Sequence, residues 1–380
     1  MDLAESAILG AHSFWSQAFG GGTPVPDAPD TPSDGQLSAE NAKKATVSPV
    51  PRGRPQTSDR SQGAKANANG LTPQNPDRPV KSRAKTTASY GGSFTKGVHT
   101  SEFGTRSFKL YSPAAAETAT APLPLLVMLH GCSQTPDDFA QGTGMNALAE
   151  EFGFLVVYPA QERKSQTYGC WNWYRRGDQS RGGGEPALIA SLTRYIIGEH
   201  EADPAKVYIA GLSAGASAAL IVAAAYPDIF AAVGAHSGVQ IGAAHDEISA
   251  MVAMQQGAPG LGNPARMPTI SFHGASDNVV HPRNGGFIAA RALEPYPCLR
   301  KTETTGHVAG GRHYLQTSHS VGRGRSLTEH WVVAGAPHGW SGGNAAGSYT
   351  DPSGPDASRE MVRFFLRHRT TVKQRSPLLI

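Results

Sequence analysis

The residue with the clearest chemical role in this sequence is Ser213, which stands in a Gly-Leu-Ser-Ala-Gly motif at residues 211–215. Residues 207–210 before it are apolar β-formers, whereas Ala and Leu, the best helix formers, dominate from Ala214 onward. The pattern predicts a strand that turns sharply into a helix, with glycines where a side chain would collide with the turn. The serine at the tip is then placed for nucleophilic attack on a carbonyl carbon.

A serine hydroxyl needs a general base, and the base needs an acid that orients it. In the α/β-hydrolase arrangement the acid and then a histidine follow the serine, each in the loop after a strand. Asp277 follows the predicted strand 269–272 and is the predicted acid. Asp246 lacks a preceding strand, and Asp351 and Asp356 come after the candidate histidine, so these three are less favoured.

The predicted base is His338, one of 14 histidines in the chain. It stands after the last predicted strand, 331–333, and before the last predicted helix. Three other histidines at strand ends are interpreted as structural residues that hold loops by hydrogen bonds: His130, His236 and His273. We expect His338 to take the Ser213 proton and Asp277 to stabilise the imidazolium, before water hydrolyses the acyl-enzyme.

A loop of small residues at 130–133 follows the predicted buried strand 123–129. An oxyanion hole is assembled at this place in the same architecture, so the backbone amides of Cys132 and Ala214 are the predicted donors. A plain strand-to-helix turn is the alternative interpretation. The sequence also leaves open whether Cys132 and Cys170 form a disulfide in an oxidising compartment or remain two buried thiols.

A long polar loop at 161–184 holds a cluster of aromatic residues. Such a cluster is either a wall of the substrate site or a plug beneath the loop, and the residue types favour neither. Trp171 and Trp173 in this loop, together with Trp340 close to the predicted base, are the predicted substrate-binding residues.

The chain divides by composition into four predicted segments. Residues 1–19 have the apolar spacing of an amphipathic helix. Residues 20–92 are rich in proline and bases and poor in apolar residues, which predicts a disordered linker. Residues 93–370 form the predicted catalytic domain, and residues 371–380 a tail. Within the domain, strands alternate with helices, which predicts a mostly parallel central sheet with helices on both faces.

Composition also bears on partners and location. The net charge is only +4, and the basic linker has no interleaved aromatic residues, so we expect no nucleic-acid partner. No apolar stretch is long enough for a membrane span, and no ligand spacing such as H-E-x-x-H indicates a metal, so neither metal nor cofactor is expected. The N-terminus lacks the pattern of a signal peptide, which favours the cytoplasm. The oligomeric state is not predicted.

Five motifs together resemble the poly(3-hydroxybutyrate) depolymerase family of esterases over about residues 95–370. They are LHGCSQ at 129–134, CWNW at 170–173, GEPALIA at 184–190, GLSAG at 211–215 and PHGWSGG at 337–343. The resemblance implies an α/β-hydrolase fold, a triad of Ser213, Asp277 and His338, and an oxyanion hole that includes the Cys132 amide.

The resemblance also implies a serine carboxylester hydrolase that acts on short-chain 3-hydroxyalkanoate esters. Because the chain shows neither a signal peptide nor a separate polymer-binding domain, soluble oligoesters or amorphous polyester are the expected substrates. A feruloyl or acetyl-xylan esterase is the alternative enzyme. A polyester-granule-associated binding protein, contacting granules through residues 1–92, is the alternative from another class.

Overall fold

A computed structural model describes residues 91–162, 164–261 and 265–376 of the chain. The predicted helix of residues 1–19 and all but the last two residues of the predicted linker 20–92 lie outside the described residues. The proposed domain boundaries therefore stay predictions.

The described residues form one large sheet with helices packed on it. The strands are β1 Ser93–Ser101, β2 Gly104–Ser112, β3 Leu125–Leu129, β4 Leu155–Pro159, β5 Val207–Leu212, β6 Ala232–His236, β7 Thr269–Gly274, β8 Arg300–His307, β9 His313–Ser320, β10 Ser326–Val333, β11 Trp340–Ser341 and β12 Thr350–Asp351. The α-helices are α1 Pro136–Thr143, α2 Met145–Phe152, α3 Gly184–Glu199, α4 Ala214–Ala225, α5 Glu247–Gln256, α6 Arg283–Leu293, α7 Ala357–Phe365 and α8 Val372–Arg375.

The main sheet has ten strands in the order β1-β2-β4-β3-β5-β6-β7-β10-β9-β8, and β11 pairs with β12 in a separate ribbon. The six central strands, from β4 to β10, run parallel, while antiparallel pairs extend both edges. This confirms the predicted α/β-hydrolase architecture with a mostly parallel sheet.

Both faces of the central sheet are buried, because alternate residues of a strand point to opposite faces. In β3, Leu125, Val127 and Leu129 join one apolar core together with residues of α3, α4 and α5. Leu126 and Met128 join the other core, with residues of α1, α2 and α7. All five residues of β3 are buried, which explains why a short continuous apolar run forms a central strand here.

Several elements differ from the sequence expectation. The sequence predicts a helical region at 136–152, clearest at 146–152, and this region forms two helices because the chain turns at Gly144 with a φ of 61°. Residues 306–333, where the sequence predicts a pair of strands, hold β9 and β10, and β8 at Arg300–His307 is an additional strand before them. The sequence patterns predict neither β1 nor α6. In the described part of the chain, no helix is long and apolar enough to cross a membrane.

Candidate active site

The three predicted catalytic residues lie at one edge of the sheet. Ser213 follows β5, Asp277 follows β7 and His338 follows β10. These strands are parallel and separated only by β6, so their carboxyl ends meet at the same edge. Ligand sites of open α/β sheets lie in the crevice outside these ends. The topology therefore gathers residues that are more than 120 positions apart in sequence, from Ser213 to His338.

The Ser213 turn has the geometry of a nucleophile elbow. Ser213 has φ 56° and ψ −122°, a conformation that is strained for a residue with a side chain. The elbow also packs against the end of β3. A Cβ added at Gly211 would lie 2.4 Å from the Gly215 carbonyl oxygen, and one at Gly215 would lie 2.1 Å from the Leu129 carbonyl oxygen. The predicted need for glycine at both positions is thus confirmed.

Asp277 and His338 form a buried acid–imidazole pair. His338 Nδ1 lies 2.8 Å from Asp277 Oδ2, and the carboxylate is fully buried. The other oxygen, Oδ1, accepts from the amides of Val279 and Val280 at 3.0 and 2.8 Å. Burial alone would raise the pKa of Asp277, but His338 and the His273 side chain outweigh it and hold that pKa well below its usual range. The carboxylate is therefore ionised and can orient the imidazole.

The Ser213 side chain and its expected base, His338, are both nearly buried. Within the described ranges, no hydrogen bond joins its hydroxyl to His338, although the two residues are only 4% and 9% exposed. Catalytic hydrogen bonds are often long in unliganded enzymes and tighten when substrate binds. The arrangement thus pairs an oriented imidazole with a nearly buried serine hydroxyl.

Two backbone amides beside Ser213 are available for an oxyanion. Those of Cys132 and Ala214 donate to no acceptor among the described residues, and both residues line a small cleft with Ser213. Gln134, the last residue of the motif at 129–134 and not among the predicted site residues, holds the Cys132 loop. Its Oε1 accepts from the Gly131 amide at 2.9 Å, and its Nε2 donates to the Ser348 carbonyl at 3.0 Å.

Cys132 and Cys170 form a disulfide, with their Cα atoms 4.3 Å apart. This settles the alternatives that the sequence left open. The next residue, Trp171, donates from Nε1 to the His130 carbonyl at 2.9 Å. The disulfide and this hydrogen bond attach the loop after β4 to the loop that carries the Cys132 amide.

A buried carboxylate also holds the loop after β4, at Asn172. Glu185, at the start of α3, accepts from the backbone amide of Asn172 at 2.8 Å and from its side-chain nitrogen at 3.0 Å. Gln161 also donates to Glu185. Burial raises the pKa of Glu185 above its ordinary value, although these donors favour the charged form. The motifs at 170–173 and 184–190 therefore meet in space.

The three predicted substrate-binding tryptophans have different surroundings. Trp173 lines the cleft beside Ser213. Trp171 and Trp340 are buried in the core, with 0% and 1% of their surface exposed. Trp340 Nε1 donates to Ser358 Oγ at 2.9 Å, so its polar edge is turned toward α7. The structure therefore gives Trp171 and Trp340 packing roles and leaves Trp173 as the substrate-wall candidate.

The remaining lining of the cleft comes from residues that sequence reasoning missed. They share an apolar or small side chain: Ser217, Val239, Met254 and Val280. Met254 belongs to α5, and no local signal in the sequence distinguishes it from a core residue. The competing carboxylates have structural roles: Asp246 and Asp356 cap helices, and Asp351 pairs with Arg312 at 2.6 Å.

No group of three or more His, Cys, Asp or Glu side chains suited to a metal ion occurs among the residues for which coordinates are described.

A family model described as "Esterase PHB depolymerase" matches residues 106–295, which is half of the chain. The chain belongs to this family. The range matched by the family model includes Ser213 and Asp277, whereas His338 lies after its end.

Individual relatives include two kinds of esterase. The chain is 33% identical to poly(3-hydroxyalkanoate) depolymerase C of Paucimonas lemoignei over 233 residues, which cover 58% of this chain and 55% of that protein. It is 29% identical to feruloyl esterase B of Neurospora crassa over 61% of this chain and 83% of that protein. The chain thus spans about half the length of the depolymerase.

Among solved structures, an acetyl xylan esterase from Aspergillus awamori matches with a TM-score of 0.57 and 20% sequence identity. The match covers 73% of this chain and 100% of that chain. At this level of identity the likeness supports the fold.

Proposed function

We propose that this Esterase PHB depolymerase family member is a serine carboxylester hydrolase that cleaves short-chain 3-hydroxyalkanoate esters through an acyl-enzyme. The observation that carries the proposal is the buried Asp277–His338 pair, 2.8 Å apart, at the sheet edge that also holds the Ser213 elbow. The nucleophile Ser213, the acid Asp277 and the base His338 follow one another in the chain order that is typical of α/β-hydrolases.

In the first step the Ser213 hydroxyl attacks the ester carbonyl carbon while His338 Nε2 takes its proton. Asp277 stabilises the imidazolium, and the amides of Cys132 and Ala214 bind the negative oxygen, each for about 3 kcal/mol of transition-state stabilisation. His338 then protonates the leaving alcohol. A water molecule, deprotonated by His338, attacks the acyl carbon. The bond from that carbon to Ser213 Oγ breaks, His338 returns the proton to Oγ, and the acid is released.

The composition of the cleft supports an apolar acyl group. Trp173, Val239, Met254 and Val280 give it a largely apolar lining. A depolymerase at 33% identity supports 3-hydroxyalkanoate oligomers or amorphous polyester as substrates. The alternative, a feruloyl ester substrate, is favoured by the Neurospora crassa relative, of which the chain spans 83%.

The disulfide bears on where the enzyme works. Disulfides persist in oxidising compartments and are rare in the cytosol, so the Cys132–Cys170 bond favours an oxidising location. The N-terminal sequence instead predicts a cytoplasmic location, and this alternative stays a prediction. Comparing the fraction of bonded Cys132 in enzyme isolated from soluble and exported fractions would decide between the two.

The test of function is side-by-side hydrolysis of a 3-hydroxybutyrate oligomer, p-nitrophenyl butyrate and methyl ferulate. We expect the hydroxybutyrate oligomer to give the highest kcat/KM, and Ser213→Ala to abolish all three activities while the protein stays folded. Preference for methyl ferulate would transfer the proposal to feruloyl esters. Undiminished activity of Ser213→Ala would end it.

A further inference from the structure

The position of Ser213 relative to His338 must be set by groups other than the pair itself, because no hydrogen bond joins the two within the described residues. One buried residue contacts both parts of the site. The carbonyl oxygen of His236, the last residue of β6, accepts from the Ser213 amide at 2.9 Å. Its ring Nε2 accepts from the amide of Ser341, three residues after His338, at 3.0 Å.

The His236 ring is held in one orientation. It stacks between Phe272, with ring centroids 5.7 Å apart, and Trp340, at 5.2 Å. Its Nδ1 lies 3.2 Å from Ser237 Oγ. Because Nε2 accepts a hydrogen bond, the ring is the neutral tautomer with its proton on Nδ1. A ring locked by two aromatic neighbours and two polar contacts acts as a fixed spacer.

Burial keeps this tautomer neutral. Loss of hydration, with the nearby His273 and His338 side chains, lowers the pKa of His236 to about 3. The ring therefore stays an acceptor at neutral pH and adds no charge that would compete with His338 for Asp277.

We propose that His236 is a positioning residue that sets the separation of Ser213 and His338, through its carbonyl on the nucleophile elbow and its ring on the loop of the base. The inference rests on the proposed esterase function. It also explains why Trp340 is buried: its ring forms one wall of the slot that holds the His236 imidazole.

The test compares His236→Phe, which keeps an aromatic ring between Phe272 and Trp340 but removes the acceptor, with His236→Gln, which restores one. Misplacing a reacting group by about 1 Å costs about 100-fold in rate, so we expect His236→Phe to lower kcat for p-nitrophenyl butyrate by that factor with KM changed less than about twofold. His236→Gln should recover kcat to within about fivefold of wild type, since its Oε1 can accept from the Ser341 amide.

His368→Phe is the matched control. His368 is also buried with a lowered pKa, and its ring packs on Phe364 at 4.5 Å, outside the contacts of the triad described above. This variant should keep wild-type kcat. If His236→Phe does not fold, His236→Leu replaces it in the same comparison.

A folded His236→Phe or His236→Leu variant with wild-type kcat would overturn the inference, as would His236→Gln losing as much activity as the variant without an acceptor. Ser213→Ala separates the two levels of the argument. If it stays active, the esterase proposal fails whatever His236 does. If it is inactive while His236→Phe is fully active, the positioning role alone fails.

Discussion

The replacement Asp277→Asn tests the role of the carboxylate sharply, because the structure fixes which oxygen is replaced. The amides of Val279 and Val280 donate to Oδ1, whereas His338 Nδ1 lies 2.8 Å from Oδ2. In the variant the asparagine oxygen keeps the two backbone donors, since its NH2 group there would face two other donors. The NH2 group therefore takes the Oδ2 position and faces His338.

An amide donor at that position forces Nδ1 to accept, so the imidazole proton resides on Nε2 and that nitrogen cannot take the Ser213 proton. In a Ser-His-Asp triad this wrong tautomer lowers kcat by about 10,000-fold, or about 5.5 kcal/mol of transition-state stabilisation. The fold should persist, because the side-chain volume and the two backbone hydrogen bonds are kept.

The assay is kcat for p-nitrophenyl butyrate, with the thermal midpoint measured on the same preparations. Asp246→Asn is the matched control. Asp246 caps α5 by accepting from the Ser249 amide at 2.7 Å, and because asparagine caps about equally well, kcat should stay within about twofold of wild type. A folded Asp277→Asn variant with more than about 1% of wild-type kcat would refute the tautomer argument.

Three further predictions follow from the cleft, the buried histidines and the elbow. Met254→Ala should raise kcat/KM for hexanoyl and octanoyl esters relative to butyryl esters, and an unchanged chain-length profile would remove Met254 from the acyl pocket. Burial lowers the pKa of His130 from 6.5 to about 4, so its contribution to stability is complete above pH 6.5 and is lost as the pH falls toward 4. We therefore expect His130 alone to lower the free energy of unfolding, measured with urea, by about 3 kcal/mol at pH 4 relative to pH 7, and the other buried histidines to lower it further. Equal free energies of unfolding at the two pH values would contradict the burial of a neutral His130. Gly215→Ala should prevent folding or lower the thermal midpoint strongly, because its Cβ would meet the Leu129 carbonyl oxygen at 2.1 Å. Gly286→Ala in α6, which has open space around its Cβ, should instead stabilise by about 1 kcal/mol, and similar midpoints for the two would count against the close approach.

The central elements were predictable because each has a strong local signal. Strand β5, the elbow and α4 are specified by apolar β-formers, two glycines and an Ala-rich run in direct succession. The weak signals belong to the periphery. Residues 93–101 of the edge strand β1 are largely exposed and polar, and two glycines near the start of α6 lower its helix propensity.

The placement of the candidate site residues was predictable where it depends on the position after a strand, as for Asp277 and His338. It was not predictable where the role depends on a distant partner. The amide that bonds the His236 ring is 105 residues away, and Gln134 reaches a carbonyl 214 residues away. For the same reason the sequence could not separate Trp173, which lines the cleft, from Trp171, which lies beneath it.

The disulfide has a consequence for any attempt to change the substrate range of the proposed esterase. Trp173, the wall of the cleft, is only three residues from Cys170, and Cys170 is bonded to the residue whose amide is placed for the oxyanion. A substitution at Trp173 that accommodates a bulkier ester would therefore also displace the Cys132 amide, the expected oxyanion donor, because the Cys132–Cys170 disulfide connects the two loops. Under the proposed esterase function we therefore expect substrate range and turnover to be coupled, so variants selected for new esters should first lose rate and then regain it through second changes around Cys132.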